Sequence, residues 1–181
     1  NVQLFEDNFA AFCGSKFGVG LANGTCSLHL AIRAMGIGAG DEVITAPNSF
    51  LASAGAIGVT GAKPVFVDID EDLNIDPELI EGAITENTRA IMPVHLTGRI
   101  AKMEQILDIA RTHELLVIED AAQAVGAKLG GRKAGQFGDV ACFSLHPLKN
   151  LHAFGDAGML VTESADFADR IRRSRNHGLR N

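Results

Sequence analysis

The sequence predicts an α/β protein: three layers, α/β/α, around a mostly parallel central sheet. Three observations carry this. Apolar runs such as Ala90-Ile91-Met92 and Leu115-Leu116-Val117-Ile118 are continuous rather than alternating, as strands covered on both faces require. Amphipathic stretches with helical spacing separate them. The 20 glycines suit the tight turns that join strands to helices. At 181 residues the chain is long enough for one domain with a continuous core.

The elements follow in order. Val2, Leu4, Phe5, Phe9 and Phe12 mark an opening helix, and Phe17 to Leu21 a short strand. A turn at Ala22-Asn23-Gly24 leads into a helix over Thr25 to Met35, spaced by Leu28, Ile32 and Met35 and closed by Gly36. Glu42 to Thr45 is a strand, Phe50 to Val59 a helix and Pro64 to Ile69 a strand. Asp76-Pro77-Glu78 supplies a cap and an N1 proline for a helix running to Ile84. Ala90 to Leu96 is a strand, Ala101 to Thr112 a helix and Leu115 to Glu119 a deeply buried strand. Val140 to Ser144 and Gly158 to Val161 complete the sheet, and Ala165 to Arg175 is the last helix.

Charge and composition exclude several classes. A formal charge of −6 is wrong for general nucleic-acid binding, which needs clustered Lys and Arg. Arg170, Arg172, Arg173 and Arg175 do cluster, but beside Asp166 and Asp169, as on a solvated helix face. No apolar stretch is long enough to span a bilayer, and no signal peptide is recognisable. Cys13, Cys26 and Cys142 are odd in number and widely spaced, which fits reduced thiols in a cytoplasmic protein and no metal site. The chain opens inside a helical pattern and stops without a closing element, so a fragment of a longer protein is expected.

The chemistry gathers at strand ends, where open α/β sheets bind ligands. Lys149 lies in Ser144-Leu145-His146-Pro147-Leu148-Lys149-Asn150-Leu151, just beyond the run Val140-Ala141-Cys142-Phe143. Asp120 stands 29 residues upstream in Glu119-Asp120-Ala121-Ala122-Gln123, after another apolar run. A lysine and a buried carboxylate so placed are what holds pyridoxal phosphate: the amine forms a Schiff base and the carboxylate pairs with the ring nitrogen. Gln123 has the reach to donate to a ring oxygen, and Phe50 could lie flat on the ring. Gly24-Thr25-Cys26 opens a helix whose free amides suit a phosphate, with the Ser144 hydroxyl as a further donor. His95 and His146 are candidates for weaker substrate contacts. Residue by residue, plainer readings stay open: an N-cap at Thr25 or Asp120, a capping-box partner at Gln123, a core Phe50, an exposed Lys149. Dinucleotide and P-loop fingerprints are missing, since no Gly-x-Gly-x-x-Gly follows the first strand and no Gly-x-x-x-x-Gly-Lys-Ser/Thr occurs.

Taken in order, Gly24-Thr25, Gly40-Asp41-Glu42-Val43-Ile44, Lys63 to Ile69, Pro93-Val94-His95-Leu96, Glu119 to Gln123 and Ser144 to Leu151 resemble the DegT/DnrJ/StrS group of fold-type I PLP-dependent sugar aminotransferases. The resemblance covers essentially the whole chain and implies the large, PLP-binding domain, with a smaller C-terminal domain absent. It implies Lys149 as internal-aldimine lysine and proton shuttle, Asp120 on the pyridinium nitrogen, Gln123 on the ring hydroxyl and Phe50 on the ring face. Thr25, the Cys26 amide and Ser144 would hold the phosphate. It further implies an amino donor, usually glutamate, a nucleotide-linked keto sugar as acceptor, and a homodimer with shared active sites. Asn23, Asn48 and Ala157 depart from the group's usual residues. Lys149 favours transamination over the dehydration run by relatives with histidine there; a PLP-binding regulatory protein of the same fold is the other alternative.

Overall fold

The computed structural model describes residues 1–179. A seven-stranded sheet runs in the order β1-β9-β8-β5-β4-β2-β3. Its strands are β1 (Phe17–Leu21), β2 (Glu42–Thr45), β3 (Lys63–Phe66), β4 (Thr88–Met92), β5 (Leu116–Asp120), β8 (Val140–Ser144) and β9 (Gly158–Thr162). A small hairpin, β6 (Lys128–Leu129) with β7 (Arg132–Lys133), stands apart. Strand β9 is antiparallel to both neighbours, while the other strands of the sheet share one direction. The expected mostly parallel sheet is therefore present.

Among the described residues six α-helices cover it: α1 (Val2–Cys13), α2 (Gly24–Ala34), α3 (Ala52–Gly58), α4 (Pro77–Ile80), α5 (Met103–Thr112) and α6 (Ala165–Arg175). Neighbouring strand residues point to opposite faces. Val43, Met92, Ile118 and Leu160 accordingly pack with Leu28 and Ile32 of α2, Ile57 of α3 and Ile171 of α6. Ile44, Ile91, Val117 and Val161 pack on the other side with Phe9 of α1, Ile80 of α4 and Ile106 of α5. Each such aliphatic or aromatic side chain contributes about 1.5–3 kcal/mol on burial. The two cores make the three layers.

Some boundaries differ from expectation for physical reasons. Helix α3 starts at Ala52, leaving Phe50 in the preceding turn. Helix α4 ends at Ile80 and tightens into a 3-10 turn at Glu81–Ala83. Strands β3 and β4 stop at Phe66 and Met92, short of Ile69 and Leu96. Strand β5 reaches Asp120, which pairs onward through Asp120 N to Pro93 O (2.9 Å) and His95 N to Asp120 O (3.0 Å). No helix follows it; residues 121–127 form turns, so the N-cap reading of Asp120 and the capping-box reading of Gln123 fall away. Among the described residues, no helix is long and apolar enough to cross a membrane.

Candidate active site

A cavity of about 440 Å³ opens at the carboxyl ends of the parallel strands. Gly24, Thr25, Phe50, Asp120, Gln123, Ser144, His146 and Lys149 all line it, so eight expected residues from four chain segments converge. Ser53 and Asp156 line it too, and were not expected from the sequence.

Close backbone approach builds its floor. A Cβ on Gly24 would stand 2.8 Å from Ser144 Cβ, so only glycine lets the start of α2 rest on the end of β8. A Cβ on Gly158 would fall 2.3 Å from Asn23 O, which requires glycine at the start of β9 for the same reason. These two contacts set the Thr25 and Ser144 hydroxyls beside the amino end of α2, where partial positive charge favours an anion. The Cys26 amide does not stand free there. It donates to Asn23 Oδ1 at 2.8 Å, making Asn23 the cap of α2, and Cys26 is not on the cavity wall.

Asp120 is the buried acid of the cavity, 4% exposed. Its Oδ2 accepts from Ser53 Oγ at 2.7 Å and its Oδ1 from the Ala122 amide at 3.2 Å. Burial pushes its pKa above the ordinary carboxylate value; the Ser53 and Ala122 hydrogen bonds, with the charges of His95 and Lys149, oppose that rise. Gln123 has its Oε1 occupied by the Thr97 amide at 3.0 Å, which leaves the Nε2 end as its donor. Phe50 is 73% exposed at the mouth, which disposes of the core reading.

Lys149 sits half-buried on an excursion from β8 whose base is tied by Leu145 N to Ala157 O (2.8 Å) and Ala153 N to Leu145 O (2.9 Å). His146 lies exposed on the same excursion, its Nδ1 accepting from Leu148 N at 3.2 Å. His95 corrects the expectation. It is fully buried away from the cavity wall, Nδ1 accepting from Ala101 N at 3.3 Å and Nε2 against Glu119 Oε2 at 2.9 Å. With both ring nitrogens engaged in the interior, it is not available to a substrate.

The donor set fits pyridoxal phosphate on this structure's own terms. An amine, an exposed aromatic face, a buried carboxylate without a full complement of donors and a hydroxyl-lined helix start share one cavity. The profile of the DegT/DnrJ/EryC1/StrS aminotransferase family matches residues 1–181. The chain belongs to that family. Its aminotransferases depend on pyridoxal phosphate. The chain is 51% identical over 178 residues to a Geobacillus stearothermophilus protein named pleiotropic regulatory protein, covering 98% of this chain and 48% of that one. It is 48% identical over 180 residues to the dTDP-3-amino-3,4,6-trideoxy-alpha-D-glucose transaminase of Streptomyces venezuelae, covering 99% of this chain and 48% of the relative. The crystal structure of S. venezuelae DesV with a ketimine intermediate superposes with a TM-score of 0.97 at 47% identity, over 99% of this chain and 49% of that one. The chain thus spans about half the length of the curated relatives it matches. The fold is that of the fold-type I aminotransferases.

Proposed function

We propose that the protein containing this chain is a PLP-dependent aminotransferase that moves an amino group, from glutamate, onto a nucleotide-linked keto sugar. The observation that carries the reading is the convergence of Lys149, Asp120, Gln123, Phe50, Thr25 and Ser144 on one cavity. The sugar acceptor is supported by the name of the Streptomyces transaminase.

When bound, pyridoxal phosphate supplies an electrophilic carbonyl and a ring that accepts electrons from the substrate. Lys149 Nζ would hold the cofactor and would accept and return the proton that amino transfer moves. Asp120 would hold the ring nitrogen, its carboxylate favouring a positive charge there. Gln123 Nε2 would donate to the ring hydroxyl, and Phe50 would offer the ring an aromatic face. Thr25 and Ser144 would hold the phosphate, joined by the Cys26 amide if Asn23 Oδ1 released it. His146 is a candidate substrate contact at the exposed rim.

The chain constitutes the large cofactor-binding domain, in keeping with its span of about half the relatives' length. A smaller C-terminal domain and a second copy of the protein complete the site as a homodimer. The three unbridged cysteines accord with the cytoplasm. The name of the Geobacillus relative favours a second reading, a regulatory protein that keeps the cofactor site. Mixing the full-length, PLP-loaded protein with glutamate separates the two. Aminotransfer produces pyridoxamine phosphate and 2-oxoglutarate; if no amino donor converts the cofactor, the transferase reading fails and the regulatory one stands.

A further inference from the structure

Two hydroxyls that belong to no sequence motif stand behind Asp120. Ser53 is 1% exposed on α3, and its Oγ lies 2.7 Å from Asp120 Oδ2. Ser49 Oγ lies 3.0 Å from Ser53 Oγ. An ionised carboxylate only accepts, so the single Ser53 proton goes to Asp120 and Ser53 in turn accepts from Ser49. The alternative acceptor for Ser49, Phe50 O, is farther at 3.4 Å. The chain of donors therefore has one direction: Ser49 to Ser53 to Asp120.

We propose that Ser53 is a positioning residue that holds the Asp120 carboxylate aimed and ionised, with Ser49 fixing the direction of its hydrogen bond. The inference rests on the reading of the cavity as a pyridoxal phosphate site. Phe50 sits between the two serines in sequence, so one short turn sets both the aromatic face and the charge offered to the ring nitrogen. A hydrogen bond to the charged form favours that form. Burial works against it at Asp120, and Ser53 is the foremost hydrogen-bond influence opposing burial. The other groups acting on Asp120 come from different elements: the Ala122 amide after β5, His95 after β4 and Lys149 after β8. Without Ser53 the carboxylate loses its shortest partner, and the ring nitrogen loses the charge that keeps it protonated.

The test uses the full-length protein loaded with ¹⁵N-ring-labelled pyridoxal phosphate, at one neutral pH. Wild type is expected to give the ¹⁵N shift of a protonated ring nitrogen. Ser53→Ala is expected to move that shift toward the unprotonated value and to raise the dissociation constant for pyridoxal phosphate about tenfold. Ser53→Thr, which keeps the hydroxyl, is expected to restore both. A merely structural role for Ser53 would alter the melting temperature and leave the shift of the bound cofactor unmoved. Should Ser53→Ala not fold, Ser53→Cys, a weak donor of similar size, is measured instead against the same shift. Asp120→Asn separates the two levels of the claim. If Asp120→Asn moves the shift and the Ser53 variants do not, the role of Ser53 is overturned and the cofactor reading survives. If Asp120→Asn leaves the shift at the wild-type value, Asp120 is not the nitrogen's partner and both are overturned.

Discussion

Glu119 and Asp120 are consecutive, both buried and both acidic, yet they stand in opposite electrostatic states. Strand alternation sends them to opposite faces of β5. Glu119 is saturated: His95 Nε2 and Gly135 N reach Oε2 at 2.9 Å, while Phe137 N at 2.9 Å and Gly138 N at 2.8 Å reach Oε1. Burial alone would raise its pKa, but the His95 hydrogen bond and charge and the Gly135 and Gly138 amides outweigh it, and the carboxyl falls below its ordinary value. Among the described residues only Ser53 and Ala122 donate to Asp120, and even with the charges of His95 and Lys149 burial wins. A saturated buried carboxylate is an internal tie; it binds the 135–138 turn and the His95 corner to β5. An under-coordinated one facing a cavity is a site waiting for a cation. The protonated nitrogen of a pyridine ring meets that need.

The largest effect that could break this comparison lies on the saturated side. Glu119→Ala orphans His95 Nε2 and three backbone amides in the core, so it is expected to cost about 3–5 kcal/mol of stability by urea denaturation. A loss under about 1 kcal/mol would mean that the tie is not structural.

On the cavity side the expectation reverses. Asp120→Asn should not destabilise the cofactor-free protein, yet should weaken pyridoxal phosphate by the loss of a charge-assisted hydrogen bond, about 1.5–3 kcal/mol. Equilibrium titration of the cofactor reads this directly. The pH dependence sharpens it. Asp120 has a raised folded pKa, so its favourable contribution is complete below the unfolded value near 3.8 and is lost as pH rises through the folded one. The stability of Asp120→Asn relative to wild type should therefore climb over that interval and level off. Glu119, with a lowered folded pKa, does the opposite: its contribution is complete above the unfolded value near 4.5 and fades as pH falls through the folded one. Denaturation curves of Glu119→Gln and Asp120→Asn across the acid range should diverge in sign.

The smallest effect tests the rim. Phe50→Ala removes an exposed ring, so stability should stay within about 0.5 kcal/mol of wild type. Cofactor affinity should still fall by about 0.5–1.5 kcal/mol, the added value of an aromatic contact. An unchanged affinity would remove Phe50 from the site.

Much of this is legible in the sequence. Continuous apolar runs revealed the sheet, and residues just beyond them marked the cavity, because parallel strands deliver their carboxyl ends to one edge. What escaped is what a linear pattern leaves open. His95 follows a strand just as Asp120 ends one, but only the folded chain shows its ring turned inward onto Glu119. Ser53 carries no motif; its place three residues after Phe50 sets it under Asp120 only because α3 begins at Ala52. The β6–β7 hairpin has its signal in Gly130-Gly131, a two-residue turn between arms too short to show a strand pattern. The occupied Cys26 amide depends on Asn23, whose side chain caps α2.

The central claim is that Lys149 and Asp120 face each other across a pyridoxal phosphate site. Borohydride reduction of the PLP-loaded, full-length protein, followed by peptide mass spectrometry, addresses it most directly. The account predicts a stable pyridoxyl group on the peptide bearing Lys149 and none in Lys149→Ala. A pyridoxyl group on another lysine, with Lys149 unmodified, would contradict it.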